Sequence, residues 1–219
     1  MPAELFPQTA FSITCAPNMI LKRKFYERET LTVARELLGK LLVHESDEGL
    51  TVGKIVETEA YMGPEDKASH AYGSLRTKRT EAQYGPKGHA YIYFVYGMYY
   101  CFNVTSGRTP GKPEAILVRA LEPVSGLEIM KKRIANSKGS AINLTSGPGK
   151  LCMAMSMSTK QNGADLCAPP LHVDEGDKIG KAEIAQTTRI NVDYADEWKN
   201  TPWRFFVKNN AYVSRPTRK

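Results

Sequence analysis

Two short stretches hold the residue types that do chemistry. Residues 55–61, Ile-Val-Glu-Thr-Glu-Ala-Tyr, set acids and an aromatic at alternate positions, and about thirty positions on, residues 90–105 (AYIYFVYGMYYCFNVT) pack five tyrosines around one Tyr-Gly step. In a strand, residues two apart share a face. Glu57 and Glu59 should therefore project together, on the order of 7 Å apart at Cα, with Tyr61 on the same side. A carboxylate that orients a water, set beside tyrosine faces that stack a flat ring, is the equipment for cutting a base from nucleic acid. Plainer readings compete with it: acids on a strand face often simply meet water, and alternating aromatic and β-branched residues build the half-buried core of a hairpin. Tyr61 beside the acids favours a pocket rim. Tyr96, immediately before Gly97 at a tight turn, is expected to stand in solvent, where it would suit a wedge between base pairs.

Further residues extend the pattern. Arg119 lies in the apolar run Ala-Ile-Leu-Val-Arg-Ala at 115–120, so it should be drawn partly inside and need an anionic partner, for which Glu59 is a candidate. His70 has no second His or Cys at ligand spacing, and reads either as structural or as a hydrogen-bonding group for a base edge. The loop at 147–150, Gly-Pro-Gly-Lys, offers backbone N–H groups to a phosphate before a helix. It is no P-loop, because Leu144 stands where the first glycine belongs and no Ser or Thr follows Lys150. The nucleophile elbow, the H-E-x-x-H metal motif, the dinucleotide fingerprint and the zinc-deaminase pair are likewise missing. Cys15, Cys101, Cys152 and Cys167 are scattered without a C-x-x-C pair or a His at ligand spacing, which points to reduced, buried thiols and to neither a zinc site nor a disulfide framework.

Elements must hold these groups in place. The chain of 219 residues with a formal charge of +7 is long enough for one domain with its own core, and its basic excess favours a polyanion partner. Glu4 and the prolines at 2, 7 and 17 break a signal-peptide pattern, and no apolar run approaches a membrane span, so an intracellular, soluble protein is expected. Residues 1–19 read as a loose N-terminal arm and 20–219 as the folded domain. Leu31, Ala34, Leu37 and Leu38 recur at helical spacing before Gly39. Residues 40–44 and 50–61 form a hairpin around the turn at 47–49. A helix starting at Gly63-Pro64 should carry His70 at its far end, and 72–88 should be a basic surface loop whose Arg76, Lys78, Arg79 and Lys87, with Lys150, are candidates for phosphate contacts. Strands are expected at 90–95, 98–105, 115–120, 171–173, 188–192 and 204–207, and helices at 126–134 and from 146 through 157. Hairpins with separated helices indicate an α+β fold.

Read in order, VETEAYMGPEDKASHAY at 56–72, YIYFVYGMYYCFNVTS at 91–106, ILVRALEP at 116–123 and SGPGKLCMAM at 146–155 resemble the alkyladenine (3-methyladenine) DNA glycosylase family, over a span from about Thr30 to Ser214. The resemblance implies a monomeric single domain without a cofactor, built on a mixed, mainly antiparallel sheet with a protruding hairpin. It implies that the protein extrudes an alkylated or deaminated purine from duplex DNA and hydrolyses its glycosidic bond. Glu59 would then be the general base and Arg119 a holder of the attacking water, with the main-chain carbonyl of Ile190 as a third contact. Tyr61, His70 and Tyr93 match walls around the flipped base, Asn103 matches a position that crowds the amino group of guanine, and Tyr96 matches the residue that fills the gap in the duplex. The sequence departs from animal members at Ala115 and in a shorter, lysine-rich course through 131–145. With water as nucleophile and no lysine at a matched position, the resemblance implies a monofunctional enzyme with no obligate protein partner. Two other readings fit parts of the pattern: a single-strand binding module built on basic charge and aromatic platforms, and a sugar hydrolase using Glu57 and Glu59.

Overall fold

The computed structural model describes residues 19–134 and 142–215. The expected N-terminal arm lies outside the described residues save for its last position, as does Cys15. Hairpin signals in the sequence translate directly. Strands β1 (Leu41–Ser46) and β2 (Gly49–Tyr61) pair from Leu41↔Lys54 to Ser46↔Gly49. Strands β3 (Ala90–Val95) and β4 (Tyr99–Thr105) form the second hairpin, and its turn residues Tyr96 and Gly97 have φ of 55° and 68°. Two successive positive φ values define the type I′ turn whose twist matches the flanking strands, which explains a glycine at 97. Strands β5 (Ala115–Ser125), β6 (Leu171–Asp174), β7 (Ile184–Thr187) and β8 (Arg204–Val207) complete one eight-stranded sheet ordered β3-β4-β5-β2-β1-β6, with β8 joining β2 and β7 joining β8. Every described pairing is antiparallel.

The core forms where alternate strand positions meet short helices. Ile55, Ala60, Ile92, Phe102, Val104, Ile116 and Val118 are buried in one cluster with Val33 and Ala34 of α2 (Thr30–Glu36), Met130 of α4 (Leu127–Arg133) and Leu151 and Cys152 of α6 (Pro148–Ala154). Helices α1 (Arg23–Tyr26), α3 (Glu81–Tyr84) and α5 (Ile142–Thr145) are single turns. Helix α2 starts where the Glu29 carboxylate accepts the Leu31 and Thr32 N–H groups at 3.1 and 2.7 Å, satisfying donors that have no partner inside the helix. Emptying the core at Phe102 would cost about 3–5 kcal/mol. The sequence's expectation of an α+β single domain is met.

Two expected elements are absent. No helix carries His70: a 3-10 turn at Gly63–Glu65 ends at once, because the Asp66 carboxylate accepts the Met62 and Ala68 N–H groups and ties the chain into a turn. Residues 188–192 are not a strand, and β7 lies just before them. Arg189 is drawn into the interior and Asn191 has φ of 58°, which breaks extended geometry.

Candidate active site

The period-two expectation holds for Glu57, Glu59 and Tyr61, but the alternation breaks just before them. Ile55 pairs with Leu121 but Glu57 pairs with Ala120, so Val56 is an extra residue; Thr58 then pairs with Val118, leaving Arg119 as an extra residue on β5. These irregularities turn Ile55 into the core while Glu57, Glu59 and Arg119 face the other side. Directly opposed residues share a face, and one rung crosses five strands: Tyr91↔Asn103↔Leu117↔Glu59↔Arg204. The rung draws residues more than a hundred positions apart into one polar cluster.

Glu57 and Glu59 are both 0 % exposed, so the two acids do not stand on a solvent-facing surface as the plainer reading held. Glu59 Oε1 accepts the Ile190 N–H at 2.7 Å, and its Oε2 accepts Tyr61 Oη–H at 2.9 Å and Arg119 Nη1–H at 3.2 Å. The main chain of Ile190 thus touches the carboxylate through its amide. Arg119 donates also from Nε to Glu57 at 3.1 Å. Burial works against its guanidinium, yet Glu59 and Glu57 outweigh that and raise its pKa. Glu57, also fully buried, accepts from Arg204 Nε at 2.7 Å, Ser214 N–H at 2.7 Å and Ser214 Oγ–H at 3.0 Å. The two acids and two arginines make a balanced buried quartet, and burial of such charges is tolerable only when each is paired and hydrogen-bonded.

Above the quartet lies a cleft of ≈ 370 Å³ whose walls include Tyr61, His70, Tyr93, Tyr96, Arg119 and Ile190. It shares Tyr61, His70, Tyr93 and Tyr194 with an inner cavity of ≈ 50 Å³ that Gln83, Tyr91 and Asn103 also line. The His70 and Tyr93 rings meet edge to face with centroids 4.5 Å apart. Arg79 Nη2 lies 3.2 Å from His70 Nε2, and His70 Nδ1 lies 2.8 Å from Tyr91 Oη. A guanidinium only donates, so Nε2 accepts and the neutral ring carries its proton on Nδ1. Burial, helped by the Arg79 charge, lowers the His70 pKa to about 4. Asn103 Nδ2 donates to the carbonyls of Tyr91 and Cys101 at 3.0 and 3.3 Å, which leaves its side-chain oxygen free of those bonds. Burial raises the Tyr61 and Tyr93 phenols well above their ordinary value and Tyr91 to about 12, so all three stay protonated.

A buttress that the sequence did not signal fixes Tyr61. Arg189, buried with Asp66, donates to both Asp66 oxygens at 2.5 and 2.9 Å and to the Ala60 carbonyl at 3.1 Å, while its guanidinium sits 4.9 Å from the Tyr61 ring centroid. Arg204, Tyr91, Gln83 and Tyr194 are further site residues missed in the sequence, whereas Glu57 is expected there only as the second member of a carboxylate pair. Only the β8 position of Arg204 carried a signal, an arginine opening an apolar Phe-Phe-Val strand.

The β3–β4 tip is apolar and exposed: Tyr96 is 76 % and Met98 63 % accessible. The basic loop divides. Lys78 is exposed, Arg76 is exposed but paired with Glu81 at 2.6 Å, and Lys150 is exposed on α6 beside the cleft residues Gly147 and Pro148. Arg79 lies 4.7 Å over the Tyr93 ring, at the pocket. Lys87 corrects the expectation of a phosphate contact: it is 5 % exposed, its ammonium donates to the Lys112 carbonyl, and it cannot reach a ligand on the surface. Cys101 and Cys152 are buried and Cys167 half-buried, all free thiols. Among the described residues, no helix is long and apolar enough to cross a membrane.

Comparison with known proteins agrees with this geometry. The profile of the family described as "Methylpurine-DNA glycosylase (MPG)" matches residues 24–211. Relatives whose names carry a provisional assignment as 3-methyladenine DNA glycosylase include a Clostridium acetobutylicum protein, 51 % identical over 90 % of this chain and 98 % of its own length. Those from Desulfitobacterium hafniense and Alkaliphilus oremlandii are each 48 % identical, over 89 % and 90 % of this chain and 98 % and 100 % of their own lengths.

Proposed function

Because the chain belongs to the methylpurine-DNA glycosylase family, and is thereby a hydrolase of N-glycosyl bonds in DNA, we propose that it excises alkylated or deaminated purines from duplex DNA with a water activated by Glu59. The damaged nucleotide swings out of the stack into the cleft, and its base lies against Tyr61, His70 and Tyr93. Tyr96, on its exposed hairpin tip, fills the gap and slows return of the nucleotide. The bond from C1′ to the base nitrogen then breaks, its electron pair leaving with the base, while the oxygen of water bonds to C1′ and its proton passes to Glu59. Positive charge gathers on the sugar in this process, and a nearby carboxylate stabilises it.

One observation carries the assignment of the base. A carboxylate has about four acceptor sites, and Ile190 N–H, Tyr61 Oη–H and Arg119 Nη1–H fill three of those on Glu59. Glu59 is fully buried, but two of the groups that hold it, Arg119 and Ile190, are cleft walls, so a water on the remaining site would reach it between them. Glu57 already accepts four hydrogen bonds, one more than Glu59, from two arginines and the N–H and hydroxyl of Ser214. Cationic alkylpurines leave readily and gain about 0.5–2 kcal/mol from tyrosine faces. The enzyme works as a monomer without a cofactor or an obligate protein partner, and leaves an abasic site with the strand intact. Glu59→Gln should lower base release by about 10²–10⁴-fold, the usual weight of a general base, with DNA binding retained. Near wild-type release by that variant would refute the role of Glu59; strand cleavage or borohydride trapping of the purified protein on DNA would refute the monofunctional course.

A further inference from the structure

The inner cavity holds a buried hydrogen-bond donor without a well-formed hydrogen bond. Gln83 is 2 % exposed and lines the ≈ 50 Å³ cavity with Tyr61, His70, Tyr93 and Asn103, yet its buried Nε2 forms no hydrogen bond of good geometry, and the Tyr91 hydroxyl beside it already accepts from His70. Leaving a buried amide donor unpaired is costly, about 1–3 kcal/mol, and a donor kept at that cost beside an aromatic slot points to a ligand that satisfies it. Its neighbours are already committed. His70 takes the Arg79 donor on Nε2 and spends its own proton on Tyr91, and the Asn103 amide spends its donors on two carbonyls. The Gln83 backbone is held by its N–H to the Thr80 carbonyl at 2.9 Å, and Thr80 Oγ1 donates in turn to the Leu75 carbonyl at 3.0 Å.

We propose that Gln83 sets specificity by donating from Nε2 to an acceptor on the edge of an extruded, uncharged purine such as a 6-oxopurine. The inference rests on the glycosylase reading and adds to it a residue that discriminates between leaving groups. A cationic alkylpurine departs as a neutral molecule. A neutral purine departs with an extra electron pair, and the negative charge spreads to its ring nitrogens and carbonyl. A donor aimed at those atoms binds more strongly in the transition state than in the ground state, which is the condition for raising rate. Gln83 should therefore matter for neutral bases and little for cationic ones.

The test uses the full chain and two duplexes, one with a single hypoxanthine and one with a single 7-methylguanine, in single-turnover base release. Gln83→Met keeps the volume and removes the donor; Gln83→Leu repeats the change should the first variant fold poorly, and thermal melting checks both. Release of hypoxanthine should fall about 10- to 100-fold, the loss of one good hydrogen bond, with release of 7-methylguanine changed less than about threefold. Equal loss on both duplexes, or loss on neither, overturns the proposal. A wild-type protein that releases 7-methylguanine but no hypoxanthine overturns it too while leaving the glycosylase reading intact. A wild type that releases neither base removes both.

Discussion

Glu57 and Glu59 are two residues apart, equally buried, and bound to the same arginine, yet their loss should have opposite signatures. Glu57 answers two guanidiniums, Arg119 and Arg204, and two donors on Ser214; Glu59 answers Arg119, Tyr61 and Ile190. Glu57→Gln leaves the buried Arg204 with no carboxylate partner among the described residues, whereas after Glu59→Gln both arginines keep Glu57. Removing one partner from a buried ion pair costs about 3–5 kcal/mol, and the lower end applies because glutamine keeps an acceptor oxygen. At about 2–4 °C per kcal/mol for a chain of this size, the melting temperature should fall by about 6–12 °C. Glu59→Gln leaves Arg119 still paired with Glu57, so about 1 kcal/mol and about 2–4 °C should be lost. Activity should invert the order. Measured well below both melting transitions, Glu57→Gln should retain base release within about tenfold, whereas Glu59→Gln should lose the full effect of a general base. Calorimetry and single-turnover release on one preparation of each variant provide the comparison. If Glu57→Gln melts with the wild type, or if Glu59→Gln melts further below it than Glu57→Gln does, the division into a structural and a chemical carboxylate is wrong.

Three more outcomes follow from the same geometry. His70 is held at about pH 4 by burial and Arg79, below its ordinary value near 6.5; the unfolded chain therefore binds the proton first, and this group's stability contribution is present above about 6.5, is lost as pH falls toward 4, and changes no further below. Proton NMR should give a His70 midpoint near 4 that rises in Arg79→Ala, and a midpoint near 6.5 in the wild type would refute the buried neutral ring. Tyr96→Ala, at a site 76 % exposed, should alter melting by less than about 0.5 kcal/mol while shortening the lifetime of the extruded nucleotide, read by fluorescence of a base analogue beside the lesion; an unchanged lifetime would remove its role as wedge. Lys150→Ala should reduce the slope of log affinity against log salt by about 1, whereas Lys87→Ala, with a buried ammonium, should leave that slope unchanged and lower the melting temperature; a changed slope for Lys87→Ala would contradict its placement.

What the sequence by itself determined is everything set by local chemistry. Alternation in residues 50–61 and 90–105 marked both hairpins, and Tyr-Gly at 96–97 fixed a turn that needs positive φ. An arginine inside an apolar strand demands a buried anion, and Glu59 supplies it together with Glu57. Tertiary structure alone decided the rest, because it depends on groups far apart in the chain. The irregular pairing of β2 with β5 requires both strands, and it sends Ile55 to the core and Glu57 to the quartet although residues two apart in a regular strand share a face. Arg189 pulls Asp66 inward across more than a hundred residues, which unmakes both the helix expected at 63–70 and the strand expected at 188–192. Lys87 looks like any surface lysine until the Lys112 carbonyl is brought to it. Gln83 has no pattern at all. Its meaning arises only when folding places an amide at a cavity without a well-formed hydrogen bond, since a donor's cost depends on what surrounds it and sequence spacing does not encode that surrounding.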